Sequence, residues 1–286
     1  MPISGLRGFM DDFMNYLRQL TSYRNSFKVH HLASKFLNRT VIVDIYRTHQ
    51  QKNQPVFFFL DGQDVRRMNI NSLQQQLSAE GFRSFTVVGI HANEARMWEY
   101  GTLRCADYAD RGNRAPETAQ FILEELMPFL QKRYKTSQEC HLNYVGGFSL
   151  SALVAFDLAW HYPQTFGAAG IFSGALWWRS RPFNKKLPDA NRILHDQVSQ
   201  APQLPPVRYW FQAGTQDEDG DRNHNGIIDA IDDTLQLMDL LREKGQPEKD
   251  LHYLEIPDGR HEPATWAVAM PDFFRWALGG VKGLKV

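Results

Sequence analysis

The chain has 286 residues, 43% of them hydrophobic, and its 32 basic and 32 acidic side chains cancel to a formal net charge of zero. That length allows one large domain or two small ones at ~150 residues each, with a core that needs no covalent staples. The balanced charge offers no basic field for a nucleic-acid backbone, and no apolar run approaches the ~20 residues that span a bilayer.

The first twenty residues carry Leu6, Phe9, Met10, Phe13, Met14, Leu17 and Leu20 at three- and four-residue steps, apart from adjacent pairs. That spacing predicts one apolar stripe on a helix, an extension over residues 1–26 that docks on the main body. It lacks the basic-then-apolar order of a secretion signal, so a cytoplasmic location is expected. Cys105 and Cys140 define neither a disulfide framework nor a metal site.

From residue 27 to 286 one domain is expected. Strands are predicted near 26–34, at VIVDIYR (41–47), PVFFFL (55–60), FTVVGI (85–90), LNYVGG (142–147), AAGIF (168–172), VRYWFQAG (207–214) and HYLEI (252–256). Several are apolar without alternation, as in strands covered on both faces. Helical patterns fall between them at 71–80, 116–133, 150–161, 232–244 and 264–278. Alternation of this kind implies a mostly parallel central sheet flanked by helices. Residues 174–206 hold Trp177, Trp178, Pro182, Pro188, Pro202 and Pro205 and are the least regular, so they are expected to form a short cap-like insertion.

Chemistry concentrates at three strand ends. LNYVG runs into Gly147-Phe148-Ser149-Leu150-Ser151 and then into a helix. A serine on a sharp strand-to-helix turn presents its hydroxyl, and small residues two before and two after let helix and strand approach. Gly147 meets that need; Ser151 stands where a second glycine is usual. The alternative is a Gly/Ser-rich turn with no chemistry. A serine hydroxyl also needs a histidine to take its proton and a carboxylate to orient that histidine. VRYWFQAG leads to Asp217, and HYLEI leads to His261 just before a helix. Serine, acid, histidine is the chain order of the α/β-hydrolases. An oxyanion hole needs two converging N–H groups. Leu150 should give one and Gln63, in the turn Asp61-Gly62-Gln63-Asp64, the other, with Asp64 as the fallback.

With these residues the chain resembles the putative-esterase family of α/β-hydrolases, which includes enterochelin esterases, S-formylglutathione hydrolases and feruloyl esterases. FFFLDGQD, VVGIHANEARMWEY, YVGGFSLSALVAFDLAWHYP and DGRHEPATW carry the resemblance, which covers about residues 27–279. It implies an α/β-hydrolase fold. It also implies a serine hydrolase cleaving a carboxylic ester or thioester, with Ser149, Asp217 and His261 catalytic. The family's histidine-glycine pair at the oxyanion strand is Asp61-Gly62 here. Arg96, Glu99 and Tyr100 look like loop residues beside the site; alternatively, Arg96 and Glu99 simply pair to stiffen that loop. Trp177 and Trp178 lie where an acyl or aromatic group would sit, or serve as cap packing. A small-molecule ester, aromatic or hydrophobic, is the expected partner, with no nucleic acid, no membrane and no catalytic cofactor. An acyltransferase would use the same residues.

Residues 221–232 add a separate signal. Asp221, Asn223, Asn225, Asp229 and Asp232 place oxygen donors at positions 1, 3, 5, 9 and 12 of a twelve-residue loop, with Gly226 at 6 and the Ile227 carbonyl at 7. That is a calcium-loop template. The expected ion is structural, because the loop directly follows the proposed acid. A metal-free network of Asx turns is the alternative. A non-catalytic, calcium-dependent binding module on a hydrolase fold would use this loop and leave the serine idle.

Overall fold

The computed structural model describes residues 27–48 and 51–279. The expected helix over residues 1–26 lies outside the described residues. Eight strands form one sheet: β1 (Phe27–Ser34), β2 (Arg39–Arg47), β3 (Val56–Leu60), β4 (Thr86–Ile90), β5 (Asn143–Phe148), β6 (Ala168–Phe172), β7 (Arg208–Gln216) and β8 (Leu251–Arg260). Their order across the sheet is β1-β2-β4-β3-β5-β6-β7-β8. β1 and β2 pair antiparallel with each other, β2 pairs antiparallel with β4, and every later pairing is parallel.

The unalternating apolar strands are explained by two cores. Val56, Phe58 and Leu60 enter the cluster on one face, and Phe57 and Phe59 enter the cluster on the other. Successive side chains point to opposite faces, so a strand buried on both must be apolar throughout. The helices that cover the faces are α1 (Gly62–Val65), α2 (Ile70–Ala79), α3 (Arg96–Glu99), α4 (Ala115–Gln120), α5 (Met127–Tyr134), α6 (Leu150–His161), α7 (Ile193–Gln200), α8 (Asp229–Glu243) and α9 (Pro263–Gly279).

Four boundaries differ from expectation for identifiable reasons. The helix expected over 116–133 contains a π-helical stretch, Phe121–Leu126, before α5. Pro128 has no N–H and its ring crowds the carbonyl four residues back, which favours a wider turn there. β7 continues two residues beyond Gly214 through a bulged register with β8. β8 likewise runs on to Arg260, so His261 follows the strand directly. α8 begins at Asp229, inside the proposed calcium loop, with Asp229 and Asp232 in its first turn, where carboxylates suit the helix dipole. The cap-like region contains one regular helix, α7. Among the described residues, no helix is long and apolar enough to cross a membrane.

Candidate active site

Ser149 sits between β5 and α6 with φ 57° and ψ −119°. Such a backbone costs a non-glycine residue about 1–3 kcal/mol and persists only when its surroundings over-determine it. Here the Ser149 N–H donates to the Phe172 carbonyl at 2.9 Å, and the Ser149 carbonyl accepts the Ala175 N–H at 3.1 Å. The turn is tight enough to dictate its neighbours. A Cβ on Gly147 would lie 2.3 Å from the Ser151 carbonyl oxygen, so only glycine fits. Ser151 is fully buried, and its hydroxyl accepts from the Phe148 N–H at 2.8 Å and donates to the Phe148 carbonyl at 2.9 Å. The serine that replaces the usual glycine therefore stitches the elbow and is occupied in doing so.

Asp217 follows β7 and bends back, so that its Oδ2 accepts the Gly214 N–H at 3.0 Å. Its Oδ1 is buried, makes no hydrogen bond, and lies 3.8 Å from His261 Nδ1. A buried carboxylate oxygen left without a donor is costly, and His261 is the donor it faces. The imidazole, 40% exposed, meets Trp266 edge-on at 5.5 Å. Trp266 stacks on Phe148 at 4.9 Å and donates its indole N–H to Ser173 Oγ at 3.0 Å. One aromatic thus links the histidine to the residue preceding Ser149. Burial, the largest influence, and the Arg96 cation both disfavour the protonated ring, while Asp217 favours it; the net effect is a lowered proton affinity.

The second strand end is equally constrained. Asp61 is left-handed, with φ 56° and ψ 46°. The hydrogen bonds of α1 begin at Asp64 and Val65, which both donate to the Asp61 carbonyl. The N–H groups of Gly62 and Gln63 precede those bonds, as at any helix start. A Cβ on Gly62 would lie 2.5 Å from the Gly89 carbonyl carbon, so the start of α1 meets β4 backbone to backbone.

Arg96 and Glu99 do not pair, which corrects one sequence reading. Arg96 donates to Asp61 through Nε (2.8 Å) and Nη2 (2.6 Å), whereas Glu99 receives the Arg39 guanidinium and faces Arg114. On so short a helix each side chain reaches a different strand end. The two tryptophans also part ways. Trp178 is buried at 2% exposure, and Trp177 is 41% exposed, with the Arg111 guanidinium over both rings. The Asp61–Arg96 pair has no signal in the sequence, because the two residues are 35 apart.

Residues 221–232 fold onto themselves. Asp221 accepts the N–H groups of Asn225 (3.1 Å) and Gly226 (3.0 Å), Asn223 Oδ1 accepts that of Asn225, and Asn225 Oδ1 that of Ile227. Asp229 accepts the Arg222 guanidinium at 3.1 Å, and Asp232 accepts the side-chain amides of Asn223 and Gln236. Among the described residues, no three His, Cys, Asp or Glu side chains are grouped to hold a metal.

The match to the family described as "Putative esterase" runs over residues 34–277, most of the chain. The chain belongs to that family. Membership carries a hydrolase-type enzymatic function in general terms. The Bacillus subtilis protein YjcH is 24% identical over 208 residues, which is 72% of this chain and 77% of that protein. Among solved structures, the enterobactin esterase FES of Shigella flexneri, crystallised with 2,3-dihydroxy-N-benzoyl-glycine, superposes with a TM-score of 0.70 at 17% identity. The superposition covers 90% of this chain but only 60% of that one. A ferulic acid esterase superposes with a TM-score of 0.66 at 16% identity, covering 88% of this chain and 97% of its own. At such identities the structural likenesses establish the α/β-hydrolase fold.

Proposed function

We propose that this putative-esterase family member is a serine hydrolase that cleaves a carboxylic ester or thioester through an acyl-enzyme. The observation that carries this is the backbone of Ser149, strained and hydrogen-bonded to β6 and to the segment beyond it, at a strand-to-helix turn where only glycine fits two residues earlier. Ser149 Oγ attacks the ester carbonyl carbon and His261 Nε2 takes its proton. Asp217 Oδ1, facing Nδ1, holds the tautomer that leaves Nε2 free to accept. The N–H of Leu150 and that of Gln63 bind the oxyanion. His261 then protonates the leaving group, and water attacks the acyl-Ser149 ester. An acyltransferase would let another nucleophile take water's place. The exposed face of Trp177 beside Tyr108 and Arg111, together with relatives named for ferulic acid and crystallised with a benzoyl compound, favours an aromatic ester.

Rapid mixing with an aryl ester tests the assignment. The expected result is a burst of about one phenol per protein, with the acyl mass on the peptide holding Ser149. The absence of both would overturn it. An added alcohol that captures the acyl group faster than water would favour the transferase. A further expectation follows from the lowered proton affinity of His261. A general base must be neutral, so the acidic limb of kcat/KM should lie below pH 6.5, the ordinary imidazole value. A pH–rate profile with its acidic limb above that value would contradict it.

We also propose that residues 221–232 hold one structural calcium ion. Asp221, Asn223, Asn225, Asp229, Asp232 and the Ile227 carbonyl supply hard oxygen donors, and Gly226, at φ 85°, makes the sharp turn such loops need. For the ion to bind, Asp229 must share its carboxylate with Arg222. Thermal melts of chelator-treated protein check this. A hundredfold excess over Kd is worth about 2.7 kcal/mol, and a domain of this size gains ~2–4 °C per kcal/mol. A rise of several degrees is therefore expected, and Asp221→Ala should abolish it. Melts that ignore both calcium and the substitution would leave a metal-free Asx network.

A further inference from the structure

The Asp61 carboxylate is 1% exposed and takes three donors: Arg96 Nε at 2.8 Å, Arg96 Nη2 at 2.6 Å and Gln63 Nε2 at 2.9 Å. The same Arg96 Nη2 lies 3.4 Å from the carbonyl of Phe148, the residue before Ser149. One guanidinium therefore touches the ends of both β3 and β5. Those are the two strands whose following residues, Gln63 and Leu150, would supply the oxyanion donors. Gln63 is pinned from its other end as well, since its Oε1 accepts the Ala92 N–H at 3.1 Å. The Asp61 N–H points to the Tyr100 hydroxyl at 3.4 Å, and Arg96 lies over the Tyr100 ring at 5.5 Å.

We propose that Asp61 and Arg96 are the positioning pair of the oxyanion hole, setting the Gln63 N–H against the Leu150 N–H by clamping the end of β3 to the end of β5. This rests on the serine-hydrolase assignment and adds to it the pair that holds the two donors in register. The physical need is narrow tolerance. Two backbone donors stabilise an oxyanion only when both lie about 2.7–3.1 Å from the same oxygen, and a site is held to about 0.5 Å only when its supporting side chains are themselves locked. The Asp61-Gly62-Gln63 turn is left-handed at its first residue and has no regular sheet bond to fix its tilt. A planar fork with two parallel bonds to one carboxylate supplies that fixity, whereas a lysine would offer a single point contact.

The pair has a second consequence that a purely structural ion pair would lack. The charged groups acting on His261 are Asp217, beyond β7, and Arg96, on α3, and Trp266, which meets the ring edge-on, is uncharged. Arg96 opposes protonation of the imidazole. Its removal takes away that opposition and moves the acidic limb of kcat/KM to higher pH.

The test compares wild type with Arg96→Gln, Arg96→Lys and Asp61→Asn, using an aryl ester and a fluorophosphonate to count competent Ser149. Per labelled site, Arg96→Gln and Asp61→Asn should lose about 10²–10³-fold in kcat, the effect of one lost oxyanion donor, with KM little changed. Binding of an aryl trifluoromethyl ketone, whose adduct places an oxyanion in the hole, should weaken in parallel. The acidic limb of Arg96→Gln should move to higher pH, and Arg96→Lys should recover the limb but not the full kcat. Wild-type kcat per labelled site in both variants, with an unmoved limb in Arg96→Gln, would overturn the proposal while leaving the hydrolase assignment intact. If Arg96→Gln does not fold, Asp61→Asn and Arg96→Lys decide through the same readouts. A wild-type protein that neither turns over aryl esters nor takes the label would overturn the hydrolase assignment, and this proposal with it.

Discussion

Ser149→Ala is expected to fold as wild type and to lose ester turnover by roughly a millionfold, the scale seen when a catalytic serine is removed from a working triad. The fold should survive because the elbow is held by groups the substitution leaves in place. These are the Ser149 main-chain bonds to Phe172 and Ala175, the Ser151 hydroxyl on Phe148, and Gly147 against the Ser151 carbonyl. No hydrogen bond of the Ser149 side chain supports the turn among those of the described residues. The loss should fall on kcat, and covalent labelling by a fluorophosphonate should vanish with it. Turnover near wild type, or label persisting on the variant, would remove Ser149 from the chemistry. Ser151 cannot replace it, because its hydroxyl is fully buried and already bonded twice.

Asp217→Asn is the second large effect, with about a 10⁴-fold fall in kcat at neutral pH expected from loss of the correct histidine tautomer. The amide has nearly the carboxylate's shape, so the bond from the Gly214 N–H can persist and the protein should stay folded. What changes is the atom opposite His261 Nδ1, which becomes either a donor or a neutral acceptor. Glu218→Gln is the control. Burial and the neighbouring Asp229 raise the proton affinity of Glu218, and its carboxyl receives the Ala230 N–H at the start of α8. It therefore belongs to the helix start, and its substitution should change kcat little. A far larger loss in Glu218→Gln than in Asp217→Asn would move the acid by one residue. Both variants are read by stopped-flow with the same aryl ester.

Much of the molecule was legible in one dimension. Strand positions followed from apolar runs and helix positions from their spacing, since burial on both sheet faces leaves few polar choices. Boundaries slipped where a local chemical event intervened. Pro128 widened the helix before it, a bulge beyond Gly214 carried β7 two residues further, and the carboxylates of Asp229 and Asp232 proved to start a helix as well as to end a loop. The order of Ser149, Asp217 and His261 along the chain was likewise readable, because each follows a strand and a parallel sheet brings such residues to one edge.

The sequence by itself determined the class of fold, the elbow and the family, because these rest on local residue types at fixed spacing. Only the tertiary structure decided which charges meet. In the sequence Arg96 stands three residues before Glu99 and thirty-five after Asp61, and the spacing on a helix favours pairing with the former. α3 is a single turn lying across the ends of β3 and β5, and its direction sends Arg96 to Asp61 and Phe148 while Glu99 turns to Arg39. In the same way, two adjacent tryptophans carry identical sequence information, yet one is buried and its neighbour is left exposed beside Arg111. Pairing of distant polar groups depends on where strand ends and short helices converge in space, and no periodicity in the chain encodes that convergence.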